Sequence, residues 1–510
     1  MRKLLSLSLA LAMLLSIAVM PALAEEKPFV ITIVCPFFGE AEPKGTTGEK
    51  TNPVLLAAEK LGNVELQITW APQGDFLTLF SSIMANTDLP MILDITSGVS
   101  TNANYIQMCQ DGVFWDLTDK IQERELFKNE LTNPANLAVS AVDGRNYMFP
   151  LIISSARLGL LYREDWLKKL ELDIPVDIAS FKAMVQAFTE NDPDGNGQKD
   201  TIGFAYCDDQ DKELTYAGFN TLAVLSGAPN YWGLDAEGKV MPYFFFDEYM
   251  DTLDLFKWMY DNGYMNSDFA INTDKHGPLT NGTAGSMITT ATNARYPGGK
   301  YDTLVDNIDK DAIVAAQQLL YKADGTPALN STLAMGGVGG ILIPRAAVKD
   351  EATLDRILDF IEIINDEGGI LAAVGVEDVH FTKGADGSIT ISEEQKALRV
   401  EDGSSEVFAS MFPRRVQSLD YGQGMTDVQE ITAISMENEK YVVSDASIGY
   451  MDEDFRNLQT EIAITISDAR VKYIMGQIDA AGFEAARQEW LAAGGQSIID
   501  NVNENYAAAN

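Results

Sequence analysis

Between Asn191 and Phe204 the chain reads NDPDGNGQKDTIGF. Side chains bearing oxygen fall at alternate positions, Asp192, Asp194, Asn196 and then Asp200, with Gly195 and Gly197 between them. Hard cations such as Ca2+ are held by oxygen donors at this spacing. In a calcium loop of the helix-loop-helix type, Asp192, Asp194, Asn196, the carbonyl of Gln198 and Asp200 occupy the odd ligand positions. Gly197 then falls where the sharp turn needs glycine. The closing position, which in such loops carries a bidentate glutamate, is Gly203. The competing reading is an Asx-rich turn held by its own side chains. In both readings the loop follows a helical segment and pins a turn; it carries no reaction chemistry.

A second set of residues suits sugar recognition. Sugars offer apolar CH faces to flat aromatic rings, and hydroxyls to carboxylates, amides and guanidinium groups. Trp70 ends a strand-like run and Trp232 sits in the loop PNYWG, so both are candidates for stacking. Phe38 follows the first apolar run, where open α/β sheets place their ligands. Thr290 and Arg295, in GSMITTATNAR, could supply hydroxyl and guanidinium contacts. Trp166, Trp258 and Trp490 lie within helical patterns and read as core, and Trp115 as packing under a helix start. Other chemistries lack their residues. GTTGEKT (45–51) has Glu49 between Gly48 and Lys50, so it is not a phosphate loop, and neither G-x-S-x-G nor H-E-x-x-H occurs. Two histidines supply a zinc centre or a histidine-based triad poorly.

The elements that would position these residues alternate. FVITIVCP (29–36) is a continuous apolar run, 52–61 is helical, 64–70 alternates like a strand, 76–86 is helical, and PMILDI (90–95) is a buried strand. This alternation predicts an α/β lobe with a parallel sheet. Further helices are expected over 249–262, 350–367, 483–492 and 497–506, and strands over 159–162, 285–290 and 336–344. Residues 390–470 show no clear period. Residues 1–24 read as a secretory signal: a basic start, an apolar core, and Ala22-Leu23-Ala24 before Glu25. No cysteine follows that cleavage pattern, so no lipid anchor is expected, and the mature protein would be exported. The formal net charge of −38 disfavours nucleic acid and anionic membranes as partners. Three dispersed cysteines form no disulfide framework.

FSSIMANTDLPMI (80–92), DGRNYMFP (143–150), LYREDWLKKLELDIP (161–175), YDNGYMNSDF (260–269), DFIEIINDEG (359–368), GVEDVHF (375–381) and the tail 472–506 occur in this order. Together they resemble the family 1 extracellular solute-binding proteins of ABC importers, in the LplA-like branch of sugar uptake. Met91 stands where that family usually has Asp. The resemblance implies an α/β, two-lobed periplasmic-binding-protein-like fold of the class II type, with hinge strands and an interlobe cleft. Lobe 1 is expected from 25–155 plus 336–375, and lobe 2 from 156–335 plus 376–510. It places the turn carrying Glu377 and His380 near the cleft and Tyr162 near the first crossover. It also implies structural Ca2+ in the 192–200 loop, a carbohydrate ligand, a permease partner, and a monomer that is not an enzyme. The rival reading is an exported polysaccharide-active hydrolase. Its paired carboxylates, about 5–10 Å apart, are not excluded by a chain with 75 acidic residues.

Overall fold

The computed structural model describes residues 27–37, 42–72, 76–95, 99, 103–131, 137, 140–150, 154–208, 218–294, 300–330, 339–366, 371, 374–385, 389–403, 407 and 428–509. The expected leader, Phe38 and Arg295 lie outside the described residues.

The strands are β1 (Phe29–Phe37), β2 (Val64–Pro72), β3 (Ile92–Ile95), β4 (Met148–Pro150), β5 (Leu158–Arg163), β6 (Trp232–Leu234), β7 (Val240–Pro242), β8 (Ser286–Thr290), β9 (Val314–Gln317), β10 (Leu329–Asn330), β11 (Gly340–Leu342), β12 (Thr382–Lys383), β13 (Ile389–Thr390) and β14 (Val442–Val443). The first sheet has the order β2-β1-β3-β11-β4. β1 runs parallel to β2 and β3, as the β-α-β-α-β alternation predicts. β11 is antiparallel to both β3 and β4, so the sheet is mixed rather than purely parallel. The physical reason is that β11 enters from the other half of the molecule instead of following a local crossover helix.

The helix Pro53–Gly62 covers one face of this sheet. Asn52 caps it by accepting from the amides of Val54 and Leu55, and Pro53 occupies its first turn. Val54, Leu55 and Ala58 pack with Ile31, Ile33, Leu66 and Ile92, and with Leu354, Ile357 and Phe360 of the helix Glu351–Asp366. The second face packs on Phe80, Tyr105 and Phe114.

The second sheet has the order β8-β5-β9, all antiparallel. Its core is larger and mostly helical and aromatic, with Trp166, Phe188, Phe204, Phe219, Phe256 and Trp490 fully buried. The helix Glu453–Ile474 inserts Ile462, Ile466, Ala469 and Ile474 into this core. Among the described residues no helix is long and apolar enough to cross a membrane. The described chain leaves the first sheet between β4 and β5 and returns to it between β10, which pairs with β14, and β11; it leaves the first core again between Val407 and the helix Val428–Asn438. Residues 376–407, expected with the second lobe, make their described contacts with the first. Val376 and Val407 pack against the first core, and the Asn52 amide donates to the Asp402 carbonyl at 2.9 Å.

Candidate functional site

Several of the described residues beside the passages β4 to β5 and β10 to β11 are polar. After the first crossover, the Ser155 amide donates to Glu439 Oε1 at 3.1 Å. Glu439 begins a short turn after the helix Val428–Asn438. Gln318, just past β9, donates its amide to Ser435 of the same helix. At the second crossover β10 pairs with β14, and Thr221 Oγ1 donates to Asn330 Oδ1 at 2.8 Å. Asn220 donates to the Tyr231 hydroxyl. Asn220 and Thr221 are the polar residues of an otherwise apolar buried helix, Gly218–Ser226. That interruption is visible in the sequence as two adjacent polar residues in the apolar run GFNTLAVLS.

Beyond β14, Asp445 is 4% exposed. Its Oδ1 accepts both the amide and the hydroxyl of Ser447 at 2.7 Å, while Oδ2 has no hydrogen-bond partner among the described residues. Burial pushes its carboxyl up to about 7, against the pull of the Ser447 bonds. The first lobe holds a counterpart. Register aligns Trp70, Cys35, Asp94, Ile341 and Phe149 in one row near the carboxyl ends of the strands. Asp94 is fully buried, and neither oxygen has a partner among the described residues. Burial holds its carboxyl well above the usual range and, with Asp94 beside it, raises the Cys35 thiol.

Among the described residues, Tyr162, Trp232 and His380 are enclosed rather than gathered at an open site. Tyr162 is enclosed in the second core, where burial pushes its phenol up to about 12, and Trp232 is 2% exposed in the same core. Neither ring offers a stacking face, because each fills volume between strands and helices. His380 is also fully buried. Its Nδ1 accepts from the Val376 amide at 3.0 Å, so its Nε2 carries the proton toward Asp402 Oδ2 at 2.8 Å. A Cβ on Gly375, at φ +113°, would lie 2.4 Å from His380 Nδ1, so glycine is needed there. His380 therefore fastens a turn rather than presenting a contact. Trp70 is 9% exposed and donates its indole N–H to Thr46 Oγ1 at 2.8 Å. Thr290 ends β8 half-buried, and Glu377 is exposed. Trp115 packs under the segment after β11, with its N–H on the Val348 carbonyl at 2.8 Å.

The 192–200 loop leaves the helix Ile178–Glu190 and re-enters the fold at bridges from Ile202 to Ala284 and from Phe204 to Met265. Asp192 accepts the amides of Gly195 and Gly197, each at 3.1 Å, and Asn196 Nδ2 lies between Asp194 at 2.8 Å and Asp200 at 3.1 Å. The missing glutamate has a steric cause. A Cβ on Gly203 would lie 2.2 Å from the Val185 carbonyl oxygen, so no side chain fits. Among the described residues no three His, Cys, Asp or Glu side chains form a ready coordination sphere. The donor set is still that of a hard cation: three carboxylates and an amide on one short loop, with the Lys169 ammonium standing in as a cation beside it, 2.7 Å from the Pro193 carbonyl.

No family model matches the sequence. Over 461 residues the chain is 30% identical to the polygalacturonan/rhamnogalacturonan-binding protein YtcQ of Bacillus subtilis, covering 88% of this chain and 87% of that one. It is 28% identical to the lipoprotein LipO of the same organism, over 94% of this chain and 92% of that one. Among solved structures, an extracellular solute-binding protein from Bifidobacterium longum subsp. infantis superposes with a TM-score of 0.67 at 15% identity, covering 95% of this chain and 99% of that one. An EF-hand mutant of the Streptococcus pneumoniae ABC-transporter substrate-binding protein FusA, solved with fructo-nystose, gives 0.63 at 16% identity, covering 94% and 99%. The fold is the two-lobed α/β fold of extracytoplasmic solute-binding proteins. The chain belongs to the family 1 extracellular solute-binding proteins of ABC importers; it is a binding protein and not an enzyme.

Proposed function

We propose that the protein captures an oligosaccharide between its lobes and presents it to the permease of an ABC importer. Carrying this reading is its similarity, over 88% of the chain, to a polygalacturonan/rhamnogalacturonan-binding relative, on a fold whose two larger sheets are joined by crossing segments. Closure is then a hinge motion at the crossovers, with two lobes swinging about a few backbone positions. The groups beside the hinge suit hydroxyl recognition: carboxylates and amides held by their neighbours are preorganised, so less ordering cost is met on binding. Thr290 and Glu377 keep polar atoms outside the cores and are the expected residues best placed to touch ligand. The protein is exported after cleavage behind Ala24 and acts as a monomer at the cell surface or in the periplasm.

Calcium belongs to the same proposal. Asp192, Asp194, Asn196, the Gln198 carbonyl and Asp200 would hold it, and the ion would supply charge that staples a turn of the second lobe. Thermal unfolding of residues 25–510 against a panel of oligosaccharides tests the reading. A sugar at 100 times its Kd adds about 2.7 kcal/mol and leaves the assay intact. No shift with any sugar overturns the carbohydrate assignment, and sugar consumed in the assay overturns the receptor.

A further inference from the structure

Lys169 ends the short helix Glu164–Lys169, and its side chain reaches across to the 192–200 loop. Its ammonium donates to the Pro193 carbonyl at 2.7 Å. A Cβ on Gly195 would lie 2.5 Å from that same nitrogen. Gly195 takes φ +78°, and having no side chain it leaves room for the exposed Lys169 ammonium to lie over it. A positive charge thus stands beside a loop whose side chains are acidic, near enough to act on Asp192, and the closing acidic ligand is sterically forbidden at Gly203.

We infer that Lys169 is a resident counter-cation of this loop, which competes electrostatically with a divalent ion and keeps the turn folded when that ion is absent. The inference rests on the proposed calcium site and concerns how this chain tunes it. A fixed ammonium lowers the local concentration of a second cation, and the loss of one acidic ligand at Gly203 leaves less charge to overcome it. The result is a loop that answers to calcium only at high concentrations, while the fold of the second lobe does not depend on the ion.

The test is calcium titration by calorimetry of the full mature chain and of Lys169→Met, with thermal unfolding of both in EGTA. Removing one charge within a screening length of about 8 Å changes divalent affinity by about tenfold. Lys169→Met is expected to bind calcium about tenfold tighter by the same reasoning, and to melt earlier than the wild type in EGTA. Calcium binding by Lys169→Met alone, with none by the wild type, supports the inference in its strongest form. Equal calcium affinity in the two proteins overturns it and leaves the calcium site standing. No binding by either protein overturns the calcium site and the inference together. Lys169→Gln, which keeps a polar end, repeats the comparison if the methionine variant fails to fold.

Discussion

Replacing Asp445 by asparagine should change how stability depends on pH. The carboxyl is 4% exposed, one oxygen is held by Ser447 and the other has no partner among the described residues, so the charged form is poorly solvated. Its folded value is about 7 against an ordinary 3.8. A group raised on folding favours the folded state when protonated. Its contribution is complete below the unfolded value, falls as pH rises through the interval to about 7, and is level above that. At roughly 1.36 kcal/mol per pH unit, the interval corresponds to about 4 kcal/mol. Asparagine cannot titrate. Urea unfolding of wild type and Asp445→Asn between pH 4 and pH 8, with calcium and sugar held constant, reads the difference directly. Wild type should lose about 4 kcal/mol relative to the variant across that range. A difference that stays flat within about 1 kcal/mol means that water or a neighbour solvates the carboxylate, and the burial argument fails.

Four further outcomes follow from single contacts. Arg470 and Asp208 form a bidentate pair at 2.6 and 2.9 Å, both at 4% exposure or less, so Asp208→Ala should cost about 3–5 kcal/mol in denaturant unfolding by removing the carboxylate that balances a buried guanidinium. Asp94 is buried without a partner among the described residues, so Asp94→Val should stabilise the first lobe by about 1–3 kcal/mol, seen as a raised calorimetric Tm at pH 7.5. His380→Ala removes the imidazole bonds to Asp402 and to the Val376 amide and should speed hydrogen exchange across residues 374–403 without changing the second lobe. Gly203→Ala meets the Val185 backbone at 2.2 Å and should destabilise by about 1–3 kcal/mol whether or not calcium is present.

The first lobe was legible because its strands are apolar runs separated by helices of ordinary length. β1, β2 and β3 and the helices Pro53–Gly62 and Phe76–Met84 fall within a few residues of where the periodicity puts them. β11 falls within the strand expected over 336–344, but its antiparallel pairing was not legible, because its neighbours are set by a return from the other lobe. The helix Glu453–Ile474 was hidden for another reason. Its buried stripe of Ile462, Ile466 and Ala469 is narrow, and Ile464, half exposed, breaks the contrast between faces. The candidate ligand residues fared less well. Residue type shows that Tyr162 and Trp232 could stack on a sugar, but only packing shows that both are enclosed. His380 likewise depends on Asp402, 22 positions away in sequence, which no local pattern links to it. The calcium spacing was plain in the sequence. Its defect at Gly203 was visible too, but the cause, a backbone pressed against Val185, was not.

The central claim is capture without chemistry. Calorimetric titration of residues 25–510 with oligogalacturonides, rhamnogalacturonan fragments and fructo-oligosaccharides, followed by mass measurement of the recovered sugar, tests it most directly. The account predicts saturable binding of one such sugar at one site per chain, with every sugar recovered unchanged. Binding to none of them, or recovery of shortened chains, would contradict it.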